Sequence, residues 1–234
     1  MKPILKFSTL LLAVILGLLS LGCASTDTGK CTDVNQNSIH QSLSASYDTN
    51  SDTTSASATL RFSGPTGTTL EMNGNCNIAN SQYTLTKSTF LGTSYNGSGS
   101  GFKAAHSFTF TDSNNKSYTN SATIPTVAFS GTPPATASKA AGVTVNFTPA
   151  LAAGEIVQLL ISSTTGTGTV VASTSTAGAT SVTATSTDFD HITTGAAQMY
   201  VQKSHTTTAT DITSAGGAFT VSYSSNRPTI TISN

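Results

Sequence analysis

From Ile39 onward the chain alternates apolar and polar residues with a period of two, again and again. Successive side chains of a strand point to opposite faces, so this alternation marks strands buried on one side only. Ile39, Leu43, Ala45 and Tyr47 share one face of the first run, and Ala56, Ala58, Leu60 and Phe62 one face of the next. Tyr83 and Leu85 follow, then His106, Phe108 and Phe110, then Tyr118, Asn120, Ala122 and Ile124. A second series holds Val143, Val145 and Phe147, then Val157, Leu159 and Ile161, then Val182 and Ala184. It ends with Met199 and Val201, then Phe219, Val221 and Tyr223, then Ile230 and Ile232. Past the first 22 residues no helical period runs for long enough to predict a helix.

Between these runs stand turn formers: Gly64-Pro65-Thr66-Gly67, Asn73-Gly74-Asn75, Asn96-Gly97-Ser98-Gly99 and Asp112-Ser113-Asn114-Asn115. The Ala-rich stretch from Ala135 to Gly142 is interrupted by Thr136 and Ser138 and reads as a loop. Short strands with turn signals about every ten residues predict antiparallel β-sandwiches. A boundary near Pro125 divides the chain into residues 34–124 and 125–234, each the size of one sandwich, with the first 22 residues and a polar tether, 23–33, ahead of them. A parallel β-helix would need a fixed repeat, and the sequence has none.

Composition decides what the outward faces carry. Ser and Thr make about a third of the chain, whereas only 9% of residues are charged. β-Branched Thr suits a pleated surface. Ten basic side chains balance ten acidic ones, which argues against nucleic acid as a partner, because its binders cluster Lys and Arg.

The leader reads as an export signal. Lys2 and Lys6 precede the apolar run Leu10 to Leu21, which is shorter than the roughly 20 residues of a membrane-spanning helix. The run ends in Gly22-Cys23, which resembles a bacterial lipobox, where the Cys is acylated and becomes the N-terminus. Ser20 departs from that pattern, since a Leu is usual there and Leu19 lies one place early. The alternative is ordinary cleavage after Ala24 and plain secretion. With Cys23 acylated or removed, Cys31 and Cys76 are left, and an even remainder in an exported chain predicts a disulfide. Closing a loop of that length stabilises by about 4 kcal/mol in the chain-entropy model.

Both halves look like the immunoglobulin-like and fibronectin type III-like modules of bacterial surface proteins. In the second half, VTVNFTPALAAGEIVQLLIS resembles the B strand, turn and C strand of such a module. The resemblance implies tandem immunoglobulin-like β-sandwiches and a role at the cell surface. It carries no functional residue, because Trp is absent and the Cys pair does not have antibody-domain spacing.

Catalytic constellations are scarce. No G-x-S-x-G elbow and no G-x-x-x-x-G-K loop occurs, and Glu71 and Glu155 are the two glutamates, one in each half. Asp48, Asn50 and Asp52 alternate like the opening of a calcium loop, but Thr53 and Thr59 stand where that loop needs Gly and Glu. A solvated turn explains the same letters. Asp188-Phe189-Asp190-His191 reads as an inter-strand loop. No catalytic residue and no cofactor is therefore expected. The expectation is a non-catalytic envelope lipoprotein, anchored by lipid at the outer membrane or cell surface, acting in binding, adhesion or spacing with a protein or glycan partner. A carbohydrate-binding accessory module needs exposed tyrosines. A hydrolase, and an ice-binding protein built on Thr ladders, are the remaining alternatives.

Overall fold

The computed structural model describes residues 27–234; the leader and Cys23 lie outside them. The first half contributes β1 (Thr28–Lys30), β2 (Ile39–Asp48), β3 (Thr53–Phe62), β4 (Thr68–Glu71) and β5 (Asn77–Asn80). It continues with β6 (Thr86–Ser88), β7 (Ser94–Ser100), β8 (Ala105–Thr111) and β9 (Ser117–Thr123). The second half contributes β10 (Ala128–Phe129), β11 (Thr136–Ser138), β12 (Val143–Thr148), β13 (Glu155–Ser163) and β14 (Thr169–Thr174). Last come β15 (Ser181–Ala184), β16 (Gly195–Thr208), β17 (Gly217–Ser224) and β18 (Thr229–Ser233). No α-helix occurs among the described residues, so the all-β class predicted by the alternation holds.

One long sheet organises the molecule. Its strands run β1-β4-β3-β2-β17-β16-β13-β14, with β7 beside β3 and β18 beside β16. Two three-stranded sheets, β5-β8-β9 and β10-β12-β15, are packed on it. Each small sheet closes a core. The first contains Leu43, Ala58, Leu60, Phe108, Phe110 and Tyr118, and the second Phe147, Val157, Leu159, Ile161, Met199 and Val201. The alternation of β2, buried at every second residue from Ile39 to Tyr47, shows why: its apolar set faces a core and its serines face outward.

The cores change over between Ile124 and Val127, beside the expected boundary at Pro125. The chain then crosses back. β17 pairs in parallel with β2 from Gly217↔Gln41 to Ser224↔Asp48, and its Phe219 and Val221 belong to the first core. The rings of Phe219 and Phe108 meet edge to face with centroids 5.4 Å apart. The segment leading into β17 is held by Asn120, whose Oδ1 accepts from Thr210 N and Asp211 N and whose Nδ2 donates to Asp211 O at 2.7 Å. Thr213 Oγ1 donates to Ile39 O at 2.6 Å. At the seam between the cores Lys203 is buried, with Nζ 3.1 Å from Glu155 Oε2 and donating to Pro149 O.

Several local expectations change. The ladders are not all antiparallel: β1–β4, β11–β18 and β2–β17 are parallel. Asn96 to Gly99, predicted as a turn, lies inside β7, because Gly97 and Gly99 leave room for the Tyr83 side chain: a Cβ at Gly97 would meet Tyr83 Cβ at 2.7 Å, and one at Gly99 the Tyr83 ring at 2.9 Å. Ala135–Gly142 contains the short β11, and 28–33, expected as tether, forms β1 and a 3-10 turn with Cys31 fully buried. Cys31 and Cys76 form the predicted disulfide.

Because β17 serves the first core while β16 and β18, which precede and follow it in the chain, serve the second, the two halves should unfold together. Phe219→Ala removes a ring from the first core and should cost about 3–5 kcal/mol. Its calorimetric scan should show one transition moved to lower temperature. A scan resolving two transitions, one of them unmoved, would contradict the coupling.

Candidate functional site

The outward face of the long sheet bears the most regular chemistry in the molecule. Register places Ser98, Ser55, Ser46, Ser222 and Ser204 in one row across β7, β3, β2, β17 and β16. The next row reads Asn96, Ser57, Ser44, Thr220 and Thr206, and on the other side run Ser100, Thr53, Asp48, Ser224 and Gln202. Neighbouring strands lie about 4.8 Å apart, so hydroxyls recur at that spacing along each row. Thr206 and Thr220 hydroxyls bond each other at 3.0 Å, and Gln202 Nε2 donates to Ser224 Oγ. Among the described residues, the five hydroxyls of the serine row have no hydrogen-bond partner of their own, so each is available to a ligand.

At the Asp48 end this face deepens into a groove of ≈450 Å³ lined by Ser46, Asp48, Ser55, Tyr200, Gln202 and Arg227, among others. Arg227 donates to Asp48 Oδ2 at 2.7 Å and lies over the Tyr200 ring, 4.7 Å from its centroid. The pair is about one-third exposed, so it orients the groove more than it stabilises the fold. On the opposite side of the sheet Tyr47, Tyr223 and Phe102 pack ring against ring, with centroids 5.0 to 5.4 Å apart.

Sequence-predicted residues fall as follows. Asp48, Asn50 and Asp52 share the β2–β3 turn, but each carboxylate is engaged: Asp48 by Arg227 and by Asn50 N, and Asp52 by the Tyr47 hydroxyl at 2.8 Å. That bond to a carboxylate pushes the Tyr47 phenol up to about 12. Among the described residues no group of three or more His, Cys, Asp or Glu is placed to hold a metal ion. Asp188 caps a short 3-10 turn by accepting from Thr185, and Glu155 partners the buried Lys203. Of the tyrosines, Tyr47, Tyr95 and Tyr118 are buried and Tyr200 stands on the open face, so they make no row. Arg227, Gln202 and the serine rows were not singled out by sequence. Outward Ser at alternate positions was visible, but which serines become neighbours depends on register between strands far apart in the chain.

No family model matches the chain, and no curated protein does. Among solved structures, a pair of tandem titin Ig domains overlaps 83% of this chain and 94% of its own, at 9% identity and a TM-score of 0.25. A tetra-tandem repeat from the extending region of a large adhesion protein overlaps 81% of this chain and 49% of its own, at 19% identity and a TM-score of 0.21. Overlaps this loose carry no argument about function, and the architecture stands on the strand pairing described above.

One buried histidine and one half-buried one give the fold a pH dependence. His106 is buried in the first half, and its Nε2–H donates to Lys103 O at 3.0 Å. Burial holds its pKa below the ordinary value. His40 is lowered too, by burial and then by Arg61. A folded-state pKa below the unfolded one means that the unfolded chain takes up protons first, so this stability is complete above about pH 6.5 and is lost as pH falls through that value. The urea midpoint should therefore drop between pH 7.5 and 5.5, and His106→Gln, which keeps a donor toward Lys103 O, should flatten the drop. An unchanged slope in that variant would remove His106 from the account.

Proposed function

We propose that the protein is a non-catalytic lipoprotein of the cell envelope that presents the open, hydroxyl-bearing sheet face as its binding surface. The observation that carries this reading is the placement of that face relative to the chain's start. β1 pairs with β4, which pairs with the Arg61 end of β3, whereas the groove lies at the Thr53 end. Eight residues of strand separate the two ends, about 27 Å at ~3.4 Å per residue. A lipid on Cys23 would thus hold one end of the sheet at the membrane and lift the groove clear of it. Reduced charge also fits a surface that must stay neutral toward envelope polymers.

A neutral glycan is the ligand class the groove favours. Free hydroxyls in rows, the planar side chains of Arg227, Asp48 and Gln202, and the Tyr200 ring offer the hydrogen bonds and the apolar plane that a sugar uses. Adhesion to a protein partner uses the same face less well, because it lacks large apolar side chains at its centre.

The membrane fraction should contain a mature chain whose N-terminal mass corresponds to acylated Cys23; an unmodified chain beginning at Ser25 would leave plain secretion. Binding to a panel of neutral polysaccharides should weaken about tenfold, a change of about 1.4 kcal/mol, in Tyr200→Ala. Equal binding by that variant would move the glycan site off the groove.

A further inference from the structure

Three large apolar side chains are exposed among the described residues, and two are adjacent: Phe90, 83% exposed, and Leu91, 75% exposed. They form the tip of the β6–β7 connection. Leu91 has φ 56°, the left-handed region that a leucine rarely adopts, and Gly92 follows with φ 97°. This turn leaves both side chains outside the first core. An adjacent Phe-Leu pair at a loop tip, in a chain with so few apolar side chains to spare, calls for a cover.

The position of the tip indicates what the cover is. Behind it, Thr93 N donates to Thr69 Oγ1 at 2.9 Å, and Thr93 Oγ1 is 3.1 Å from Thr28 Oγ1. Thr69 Oγ1 in turn donates to Asp27 O at 3.1 Å. Thr69 and Thr93 are both buried, so this knot of three threonines fixes the loop against the point where the described chain starts. Five peptide steps separate Cys23 from Thr28, which limits their Cα separation to about 18 Å whatever path the chain takes. Lys30 lies in register with Glu71, and Lys87 pairs with Glu71 at 2.6 Å, so two cations face one anion on this edge.

We infer that the Phe90–Leu91 tip inserts into the lipid surface beside the acylated Cys23, as a second membrane contact. This rests on the lipoprotein reading above. An acyl anchor alone leaves the body free to swivel, while a second point of insertion fixes its tilt and makes attachment more durable. The groove at the far end of the sheet is then held facing away from the bilayer.

The chain has no Trp, so a single substitution gives a reporter without background. Phe90→Trp changes an exposed ring and leaves Leu91 and the threonine knot intact; Thr167→Trp, in the exposed β13–β14 connection, is the control. The full-length chain is produced in a bacterium, recovered, and reconstituted into phosphatidylethanolamine/phosphatidylglycerol vesicles with and without brominated acyl chains. N-terminal mass is measured on the same sample. The expected result is a shift of Phe90→Trp emission to shorter wavelength on reconstitution and loss of most of it to brominated lipid, with Thr167→Trp unchanged. An unshifted Phe90→Trp on an acylated chain overturns this inference and leaves the anchor standing. An unshifted spectrum on an unacylated chain overturns both. Emission already shifted before lipid is added, and not quenched by bromine, overturns the inference in favour of a protein cover, from this chain or a second copy.

Discussion

The parallel ladder between β2 and β17 is the interaction on which the rest of the molecule depends. Eight residue pairs, from Gly217↔Gln41 to Ser224↔Asp48, join strands 170 or more positions apart in the chain. Without that ladder the long sheet would end at β2 on one side and at β17 on the other, each with an unpaired edge. With it, Phe219 and Val221 complete the first core, and the outer serines of β2 and β17 become neighbours. The disulfide acts at a different point. By tying Cys31 to Cys76 it closes a loop within the first half and fixes the segment that follows β1.

A shared sheet changes what the surface can do. Two sandwiches joined by a flexible linker would each present a small polar face, moving independently. Here the rows run unbroken from β7 to β16, so five hydroxyls such as those of Ser98, Ser55, Ser46, Ser222 and Ser204 hold fixed spacings across both halves. A repetitive ligand that matches one spacing matches several, which is how a face of weak single contacts gains affinity. The groove by Tyr200 and Arg227 adds direction at one end.

Most strand positions were legible in the sequence because alternation reports the two faces directly: the runs around Leu43, Phe108, Leu159 and Val221 all became strands, whereas Tyr83 and Leu85 lie in the irregular connection between β5 and β6. Pairing was not. Period-2 patterning says which face is buried but not which strand lies alongside, and β17 illustrates this: it follows β16 of the second core in the chain, yet its Phe219 and Val221 pack in the first. One signal did point to the crossover. Asn120 stands on an otherwise apolar face between Tyr118 and Ala122, and a buried amide needs polar partners; it finds them in Thr210 and Asp211. The site was less legible than the fold. Asp48 was visible as an acidic turn residue, but its partner Arg227 is 179 positions away, and single serines carry no sign that they will form rows. The Gly-rich stretch at 96–99 misled for a clear reason: glycine marks a turn unless another ring, here that of Tyr83, takes the space its missing side chain leaves.

Native-state hydrogen exchange of the β2 and β17 amides tests the central claim most directly. If the ladder joins two cores into one cooperative unit, central amides such as those of Leu43 and Val221 should exchange only through global unfolding. Their protection and denaturant dependence should then match those of Leu159 in the second core. Exchange of the β17 amides through a smaller opening, with β2 and β13 still protected, would show that β17 is a detachable strand and that the two halves are separate folding units.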